Sequence, residues 1–221
     1  MEKKSWCIPK LDAKFIAAMN EVLEVYERPY DPTEPVLGVD EKGKQLLEDL
    51  RPPLPLASGY GHRFDSEYKR HGTRNIFVGV EAKGGWRYVV VTARKTKKDF
   101  ANYLAALVAQ YPDATKVHVI MDNYKTHSMK NLLEILGADH PMFAKLVPHY
   151  TPVHGSWVNV AECEIGVLEG QCLDRRIKNE EMLVAAVAAW ESDRNAAGAK
   201  IDWKFTREKA AKVFKLKYEP I

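Results

Sequence analysis

Helical and extended spacings of apolar residues alternate along the first part of the chain. Residues 12–26 place apolar side chains three and four positions apart behind Asp12, which predicts an amphipathic helix with Asp12 as its N-cap. A linker punctuated by prolines at positions 29, 32 and 35 follows this helix. The run from Val36 to Asp40 is apolar up to its final acid, so it predicts a short buried strand that ends in a carboxylate.

The middle of the chain predicts the rest of a sheet. Two β-rich runs, 74–82 and 86–93, flank Lys83-Gly84-Gly85, which is typical of a hairpin and predicts an antiparallel start to the sheet. The elements predicted next are helix 97–111, strand 117–121, helix 129–136 and strand 145–150. Since Pro148 lacks the N–H that a central strand needs, the last strand belongs at a sheet edge or is very short.

The last third of the chain is helical in pattern. Its predicted helices are 157–169, 180–196 behind Asn179, and 207–215 behind Thr206. Five strands interleaved with helices predict the α/β class, with a mixed five-stranded sheet covered by helices on both faces. Residues 41–73 lose periodicity and indicate a long insertion after the first strand, and such loops inside a compact domain are usually functional.

Composition and charge narrow the class of function only a little. The 221 residues are 46% hydrophobic and 29% charged, which is ordinary for a globular chain and argues against disorder. No apolar stretch is long enough for a membrane helix, and the N-terminus lacks the apolar run of a secretion signal, so we expect a cytoplasmic protein without a membrane partner. A net charge of +3 is compatible with nucleic acid binding without indicating it, and the clusters of Lys and Arg fit a solvated surface equally well.

Three acids occupy positions that suit metal ligands. Asp40 and Asp122 each end an apolar strand, and the carboxyl ends of neighbouring strands in an α/β sheet face one crevice. A third carboxylate comes from a predicted helix, where a spacing of three puts Asn159 and Glu162 on one face. Glu164 is the rival for this third position, but it lies two residues further on and points well away from the Asn159 face.

Converging carboxylates repel one another unless they are protonated or neutralised, and hard divalent cations such as Mg²⁺ are the usual solution. Two such ions, about 3.5–4 Å apart, can activate an attacking hydroxyl and stabilise the leaving oxygen in phosphoryl transfer. The spacing by itself is weak support for such a centre, because strands often end in Asp and a helical Glu more often faces solvent.

Recognisable motifs surround all three acids. Val39-Asp40-Glu41 lies at the first acid, and residues 122–127 read Asp-Asn-Tyr-Lys-Thr-His. Residues 150–162 read Tyr-Thr-Pro-Val-His-Gly-Ser-Trp-Val-Asn-Val-Ala-Glu. These segments resemble the first-acid, Asp-Asn-x-x-x-His and Thr-Pro-x-x-x-Ser-Trp-Leu-Asn-x-x-Glu motifs of the transposases of the bacterial insertion sequence 630 group, within the mariner superfamily. Further similar segments occur in the same order at 6–9, 51–55, 70–73 and 171–176.

This resemblance implies an Asp-Asp-Glu catalytic domain with a ribonuclease-H-like fold. Asp40, Asp122 and Glu162 would be the catalytic acids and would bind Mg²⁺ or Mn²⁺, as two ions. The implied reaction is hydrolytic nicking at element ends, followed by attack of the freed 3′-hydroxyl on target DNA, in cut-and-paste transposition. The implied partners are double-stranded DNA and a second copy of the chain, as a homodimer assembled on DNA.

The resemblance also implies limits for the parts of the chain. Residues 1–34 would form an N-terminal helix and linker, 35–197 the catalytic domain with a clamp-like insertion at 41–73, and 198–221 a helical tail. Relatives carry an N-terminal helix-turn-helix region, for which the residues before Lys10 are too few, so we do not expect sequence-specific end binding from this chain. A cytoplasmic, nucleoid-associated location would follow from a role on bacterial DNA.

DNA contacts are implied as well. They are Lys44, Arg70 and His71 in the insertion, and Asn123, Lys125 and His127 after the second acid. For Asn123 and His127, a loop asparagine and a capping histidine are equally good alternatives. For Arg70 and His71, solvated surface is the alternative to a DNA or partner contact. Trp157 is expected in the core rather than as a platform for base stacking.

Two other functions stay open from the sequence. A domesticated, inactive module would keep DNA binding and assembly without cleavage. A structure-specific nuclease of the same fold would cleave branched or hybrid substrates without joining them. Metal uptake that depends on the three acids would separate an enzyme from the inactive module.

Overall fold

A five-stranded mixed sheet forms the centre of the computed structural model, which describes residues 11–51, 58–59 and 66–215. Its strands are β1 (Val36–Asp49), β2 (Tyr68–Glu81), β3 (Trp86–Thr92), β4 (Val117–Met121) and β5 (Leu146–Tyr150). The spatial order is β3-β2-β1-β4-β5, in which β1, β2 and β3 are antiparallel and β1, β4 and β5 run parallel. The predicted sheet, its hairpin across Lys83-Gly84-Gly85 and the edge position of Pro148 are confirmed.

Helices cover both faces of this sheet. In the described part of the chain they are α1 (Ala13–Glu27), α2 (Lys97–Ala109), α3 (Met129–Leu136), α4 (Val160–Leu168), α5 (Glu180–Ala196) and α6 (Arg207–Phe214). As predicted, the side chains of Asp12, Asn179 and Thr206 cap α1, α5 and α6. None of the helices described is long and apolar enough to cross a membrane.

Strand β1 separates two parts of the core. Leu37 and Val39 pack with residues of α2 and α3, whereas Gly38 faces the start of α4 on the other side of the sheet. Because successive side chains of a strand alternate between faces, Asp40 shares the α4 side with Gly38, and Glu41 shares the α2 side. Helices α1, α4 and α6 pack together on the side that Asp40 faces.

Much of the expected insertion at 41–73 is strand, which corrects the predicted strand limits. β1 continues to Asp49 and β2 begins at Tyr68, so the two strands form a long hairpin whose outer part is largely exposed. The pattern missed this hairpin because Leu46 is the only buried residue of β1 beyond Asp40, so no alternation of apolar side chains marks the outer part. The remaining connection is shorter than expected, and its residues 52–57 and 60–65 lie outside the described part of the chain.

The helix predicted at 157–169 begins later than expected and ends irregularly. Ser156–Val158 forms a 3₁₀ turn, Asn159 is the N-cap of α4, and Glu169–Leu173 continues α4 as a π-helical turn. Asn159 therefore does not share a helical face with the third acid. Trp157, expected in the core, is 40% exposed and only partly packed.

Gly38 allows β1 to lie directly against the first turn of α4. A Cβ at this position would be 2.6 Å from Val160 Cγ1 and 2.9 Å from the nitrogen of Ala161, closer than these atoms can pack. We therefore expect Gly38→Ala to lower the free energy of unfolding by about 1–3 kcal/mol through overpacking, measured by urea denaturation. Gly166→Ala is the control, because a Cβ at this α4 position meets nothing within 4 Å and alanine favours helix. Equal stability of Gly38→Ala and the unmodified protein would mean that α4 moves off β1 at no cost.

Candidate metal centre

Asp40 and Asp122 lie at the same end of the paired part of two neighbouring parallel strands, β1 and β4. The register of β1 and β4 pairs Gly38 with Ile120. This is the last pair of the two strands, two residues before Asp40 and Asp122, so strands roughly 4.8 Å apart lead both acids to the same edge of the sheet. Asp40 lies within β1 rather than at its end, whereas Asp122 directly follows β4. The register thus brings two of the predicted acids together.

The start of α4 brings Glu162 to the same place. Asn159 Nδ2 donates a hydrogen bond of 2.8 Å to the carbonyl of Val39, which ties the N-cap of α4 to the residue before Asp40. A second hydrogen bond, of 3.0 Å, joins the first N–H of α4 to the hydroxyl of Tyr26 in α1. Glu162 lies exposed in the first turn of this anchored helix.

Burial and negative neighbours disfavour the ionised form of Asp40. Burial is the largest cause that raises its pKa, and the charges of Glu162, Glu41 and Asp122 raise it further, to about 7. Asp40 is therefore close enough to Glu162 and Asp122 to respond to their charges. A divalent cation would relieve this repulsion, and a donor set made of carboxylate oxygens suits Mg²⁺ or Mn²⁺.

The two aspartates are nevertheless turned towards protein donors. Asp40 Oδ1 accepts from the N–H of Glu41 at 2.7 Å, and Asp122 Oδ1 accepts from Nδ1 of His127 at 2.6 Å. Among the residues that the structure describes, no three or more His, Cys, Asp or Glu side chains are grouped so that they can hold a metal ion. Coordination by all three acids requires their side chains to rotate, so their metal-binding roles stay predictions.

His127 forms a hydrogen-bonded ion pair with Asp122. Its buried ring stacks on Phe100 with 3.9 Å between centroids, and its Nε2 lies 3.5 Å from Oε2 of Glu41 without a hydrogen bond. Burial alone would lower the pKa of His127, but the hydrogen bond to Asp122 and the proximity of Glu41 outweigh burial and raise this pKa to about 9. At neutral pH the ring is therefore an imidazolium between two carboxylates, and a contact with DNA phosphate stays a prediction.

In buffer with EDTA, the free energy of unfolding should fall as the pH rises through the range from about 6.5 to 9. The pKa of His127 is raised on folding from 6.5 to about 9, so its stabilising contribution is complete below the lower value and is lost as the pH passes the upper one. We expect a loss on the order of 1–3 kcal/mol, measured by urea unfolding across this range. His127→Gln should remove most of the loss, and the control His154→Asn, at an exposed position, should keep it. If the free energy of unfolding depended on pH equally in both variants, the loss could not be assigned to His127.

Asn123 and Lys125, two of the predicted DNA contacts, lie beside the acids. Both are exposed in the turn that follows β4. The side-chain amide of Asn123 donates to the carbonyl of Thr151, the first residue after β5. This bond links the turn to the segment that leads into α4, so Asn123 has a structural partner whether or not it also contacts DNA.

Lys44, Arg70 and His71 lie along the outer hairpin instead. Lys44 Nζ donates to two backbone carbonyls beyond α4, at 2.5 and 2.9 Å, and burial lowers its pKa. Arg70 donates to the hydroxyl of Tyr68 at 3.2 Å, and His71 Nε2 lies 2.7 Å from Glu48. Arg70 pairs with a residue seven positions beyond the first acid, roughly 23 Å along the strand at ~3.3 Å per residue. The structure does not bring these three residues to the acids, and their DNA contacts stay predictions.

Two acidic residues at this centre have roles that the sequence did not reveal. Glu41, with a side chain only 8% exposed, faces His127 and lies 3.5 Å from Lys95 Nζ. Its position next to Asp40, on the opposite face of β1, was the available signal. Glu164, the rival third ligand, is fully buried and bound by two arginines. Its burial keeps it from sharing a metal with the three predicted acids. The available signal was its place on the apolar face of α4, three residues after Ala161 and four before Leu168.

Comparison with known families places the chain. The family model described as DDE superfamily endonuclease matches residues 35–184. The chain therefore belongs to this family of transposase-like domains. No curated protein sequence matches the chain.

Solved transposase structures have the same fold. A pre-cleavage Mos1 transpososome matches with a TM-score of 0.58 at 14% identity, over 100% of this chain and 68% of that one. The Mos1 mariner paired end complex with Mn matches with a TM-score of 0.53 at 16% identity, over 98% of this chain and 63% of that one. The Mos1 strand transfer complex matches with a TM-score of 0.54 at 13% identity, over 98% of this chain and 62% of that one.

These likenesses concern the fold, since the sequence identities are low. They confirm the predicted ribonuclease-H-like fold, a mixed five-stranded sheet flanked by helices. The chain spans between 62% and 68% of the length of these three structures. Of the resembling segments, 6–9 and 52–55 lie outside the described residues.

Proposed function

We propose that this chain is the catalytic domain of a DNA transposase of the bacterial insertion sequence 630 group, which cleaves and joins DNA strands with Mg²⁺ or Mn²⁺. The observation that carries the proposal is the parallel pairing of β1 with β4, whose last pair, Gly38 with Ile120, lies two residues before Asp40 and Asp122. The bond from Asn159 to Val39 anchors the helix that carries Glu162 beside Asp40. The family match and the fold support it.

In this proposal each residue of the centre has a distinct role. Asp40, Asp122 and Glu162 hold two divalent ions, which when bound supply an activated hydroxyl and stabilise the leaving oxygen. His127 orients Asp122, and although burial opposes it, their hydrogen bond lowers the pKa of this aspartate and keeps it ionised. Lys125 lies exposed beside the acids, where it meets the phosphates of the bound strand.

The remaining assignments follow from the same function. Double-stranded DNA is the substrate, and two copies of the chain assemble on it. The catalytic domain extends over 35–197, between the N-terminal part at 1–34 and the C-terminal part at 198–221; residues 1–10 and 216–221 lie outside the described part of the chain. The hairpin with its connection, 41–73, acts as a clamp on DNA or on the second copy. The protein works in the bacterial cytoplasm, at the nucleoid.

Metal uptake tests the centre without DNA. Because Asp40 has a pKa of about 7 and must lose its proton to bind a cation, Mn²⁺ affinity measured by calorimetry should rise between about pH 6 and pH 8. Asp40→Asn should lower the affinity and remove most of this rise, whereas Asp113→Asn, at an exposed loop position, should change neither. Absence of Mn²⁺ uptake by the unmodified protein would favour an inactive binding module.

The reaction is tested by incubating the protein with supercoiled plasmid and with short duplexes that carry a free 3′-hydroxyl. Mn²⁺-dependent nicking together with joining of the duplexes to plasmid supports a transposase. Cleavage confined to branched or hybrid substrates, without joining, would favour a structure-specific nuclease and overturn the proposed strand transfer.

A further inference from the structure

Helix α4 carries a second glutamate whose surroundings differ completely from those of Glu162. Glu164 has no exposed side-chain surface and accepts two hydrogen bonds from Arg87 of β3, at 2.8 and 3.1 Å. It accepts two more from Arg194 of α5, both at 3.1 Å. The carboxylate is thus held by two guanidinium groups from two different elements, one of them also fully buried.

Strand β3 and helix α5, rather than α4, carry these guanidinium groups. The side chain of Asn195 in α5 accepts from the N–H of Arg87 at 2.8 Å and donates to its carbonyl at 2.9 Å, in the manner of a neighbouring strand. Glu191 of α5 accepts from the N–H of Val89 at 3.0 Å. Because α5 is bound in this way along the edge of β3, the two arginines form a fixed receptor for Glu164.

Because Glu162 and Glu164 lie on the same helix, fixing the direction of Glu164 also fixes the direction of Glu162. Residues two apart on an α-helix point about 200° away from each other around the axis. With Glu164 bound inwards by two bidentate contacts, Glu162 is directed outwards, and Asn159 fixes the start of the same helix against β1. The N-cap sets where α4 begins, and Glu164 sets how the helix is rotated.

Stability alone does not account for this arrangement. Removing two or three ions from water is costly, and well-packed apolar residues in place of a buried ion cluster are often neutral or stabilising. A guanidinium fork that binds a carboxylate at two points restricts direction much more than apolar contact does. The ion triad therefore favours one orientation of α4.

We propose that the triad of Glu164, Arg87 and Arg194 positions Glu162 for metal binding, so that Glu164 is a positioning residue for metal-dependent DNA cleavage. This inference rests on the proposed function. Glu164 touches neither metal nor DNA and acts through the rotation of α4. Its loss should therefore weaken metal binding at Glu162 while DNA affinity is unchanged.

The test compares Glu→Gln variants of the full chain on one helix. For Glu164→Gln we expect the Mn²⁺ concentration for half-maximal plasmid nicking to rise at least about tenfold, as for other residues that orient metal ligands. Saturating Mn²⁺ should restore most of the nicking rate of Glu164→Gln but not that of Glu162→Gln. Glu169→Gln is the control, because it removes only a surface ion pair with Lys42 of 2.8 Å and should shift nothing.

The outcomes are separable. A folded Glu164→Gln variant, by circular dichroism, with the Mn²⁺ midpoint of the unmodified protein would overturn the positioning role. If this variant does not fold, the same measurement is made on Arg194→Lys, which keeps the positive charge but loses the two-point guanidinium contact with Glu164. We expect a smaller rise in the Mn²⁺ midpoint for Arg194→Lys. No rise would overturn the positioning role. If the unmodified protein neither binds Mn²⁺ nor nicks DNA, and Glu162→Gln does not differ from it, the proposed function fails and the positioning role fails with it.

Discussion

Replacing Asp122 with Asn should lower the rate of Mn²⁺-dependent DNA nicking by about a thousandfold, the rate equivalent of several kcal/mol of lost charge stabilisation. Asn keeps an oxygen that can accept the hydrogen bond from His127, which in the protein is 2.6 Å long. The variant therefore loses the negative charge of this side chain with little change in shape. The measurement is the initial rate of plasmid nicking at saturating Mn²⁺, with far-UV circular dichroism as the check of folding.

Asp139→Asn is the matched control for this experiment. Asp139 is exposed in the loop after α3 and belongs to neither of the two strands, β1 and β4, that lead to the first two acids. Its replacement should leave the nicking rate within a factor of about two, since surface substitutions change little. Nicking by Asp122→Asn at the rate of Asp139→Asn would remove Asp122 from the catalytic centre, and with it the central residue of the proposed function.

Replacing Arg87 with Met should lower the free energy of unfolding by about 3 kcal/mol, because removal of one member of a buried ion cluster leaves the others poorly compensated. Arg87 has no exposed side-chain surface and is bound to the equally buried Glu164. The expected result is a lower urea midpoint at an unchanged denaturant slope. Arg94→Met, at an exposed position after β3, should change the free energy of unfolding by less than about 0.5 kcal/mol.

The double variant Arg87→Met with Glu164→Leu sharpens this prediction. It removes both fully buried charges and leaves Arg194, whose side chain is 21% exposed and can be hydrated. Much of the lost stability should return, because the uncompensated buried carboxylate is gone. A double variant less stable than Arg87→Met alone would mean that packing, rather than buried charge, dominates at this place.

Local patterns were sufficient for most helices and strands. Asp12, Asn179 and Thr206 were predicted as caps and are caps, because a side chain that accepts from an N–H three residues on is a local interaction. Pro148 was predicted at a sheet edge and lies on β5, because a missing N–H excludes the centre of any sheet. The outer hairpin was missed, since Leu46 is the only buried residue of β1 beyond Asp40 and a single buried position shows no alternation.

The candidate metal centre was also predictable from the sequence only in part. Asp40, Asp122 and Glu162 were found from strand ends, helical spacing and motif, and these signals lie within a few residues of each acid. Their side-by-side placement depends on the parallel pairing of β1 with β4, for which the sequence offers no more than the general rule for α/β sheets. The use of Asn159 as an N-cap bound to β1 was not predictable, because its partner is 120 residues away.

The sequence by itself determined the α/β class and the order of the elements and singled out the candidate acids, since these follow from side-chain type and from periodicity over short windows. Only the tertiary structure decided that Glu164 is buried between Arg87 and Arg194 while its neighbour Glu162 is exposed. The two glutamates are chemically identical and two residues apart. What distinguishes them is the presence of two guanidinium groups from distant parts of the chain, which folding places on one side of α4 and not on the other.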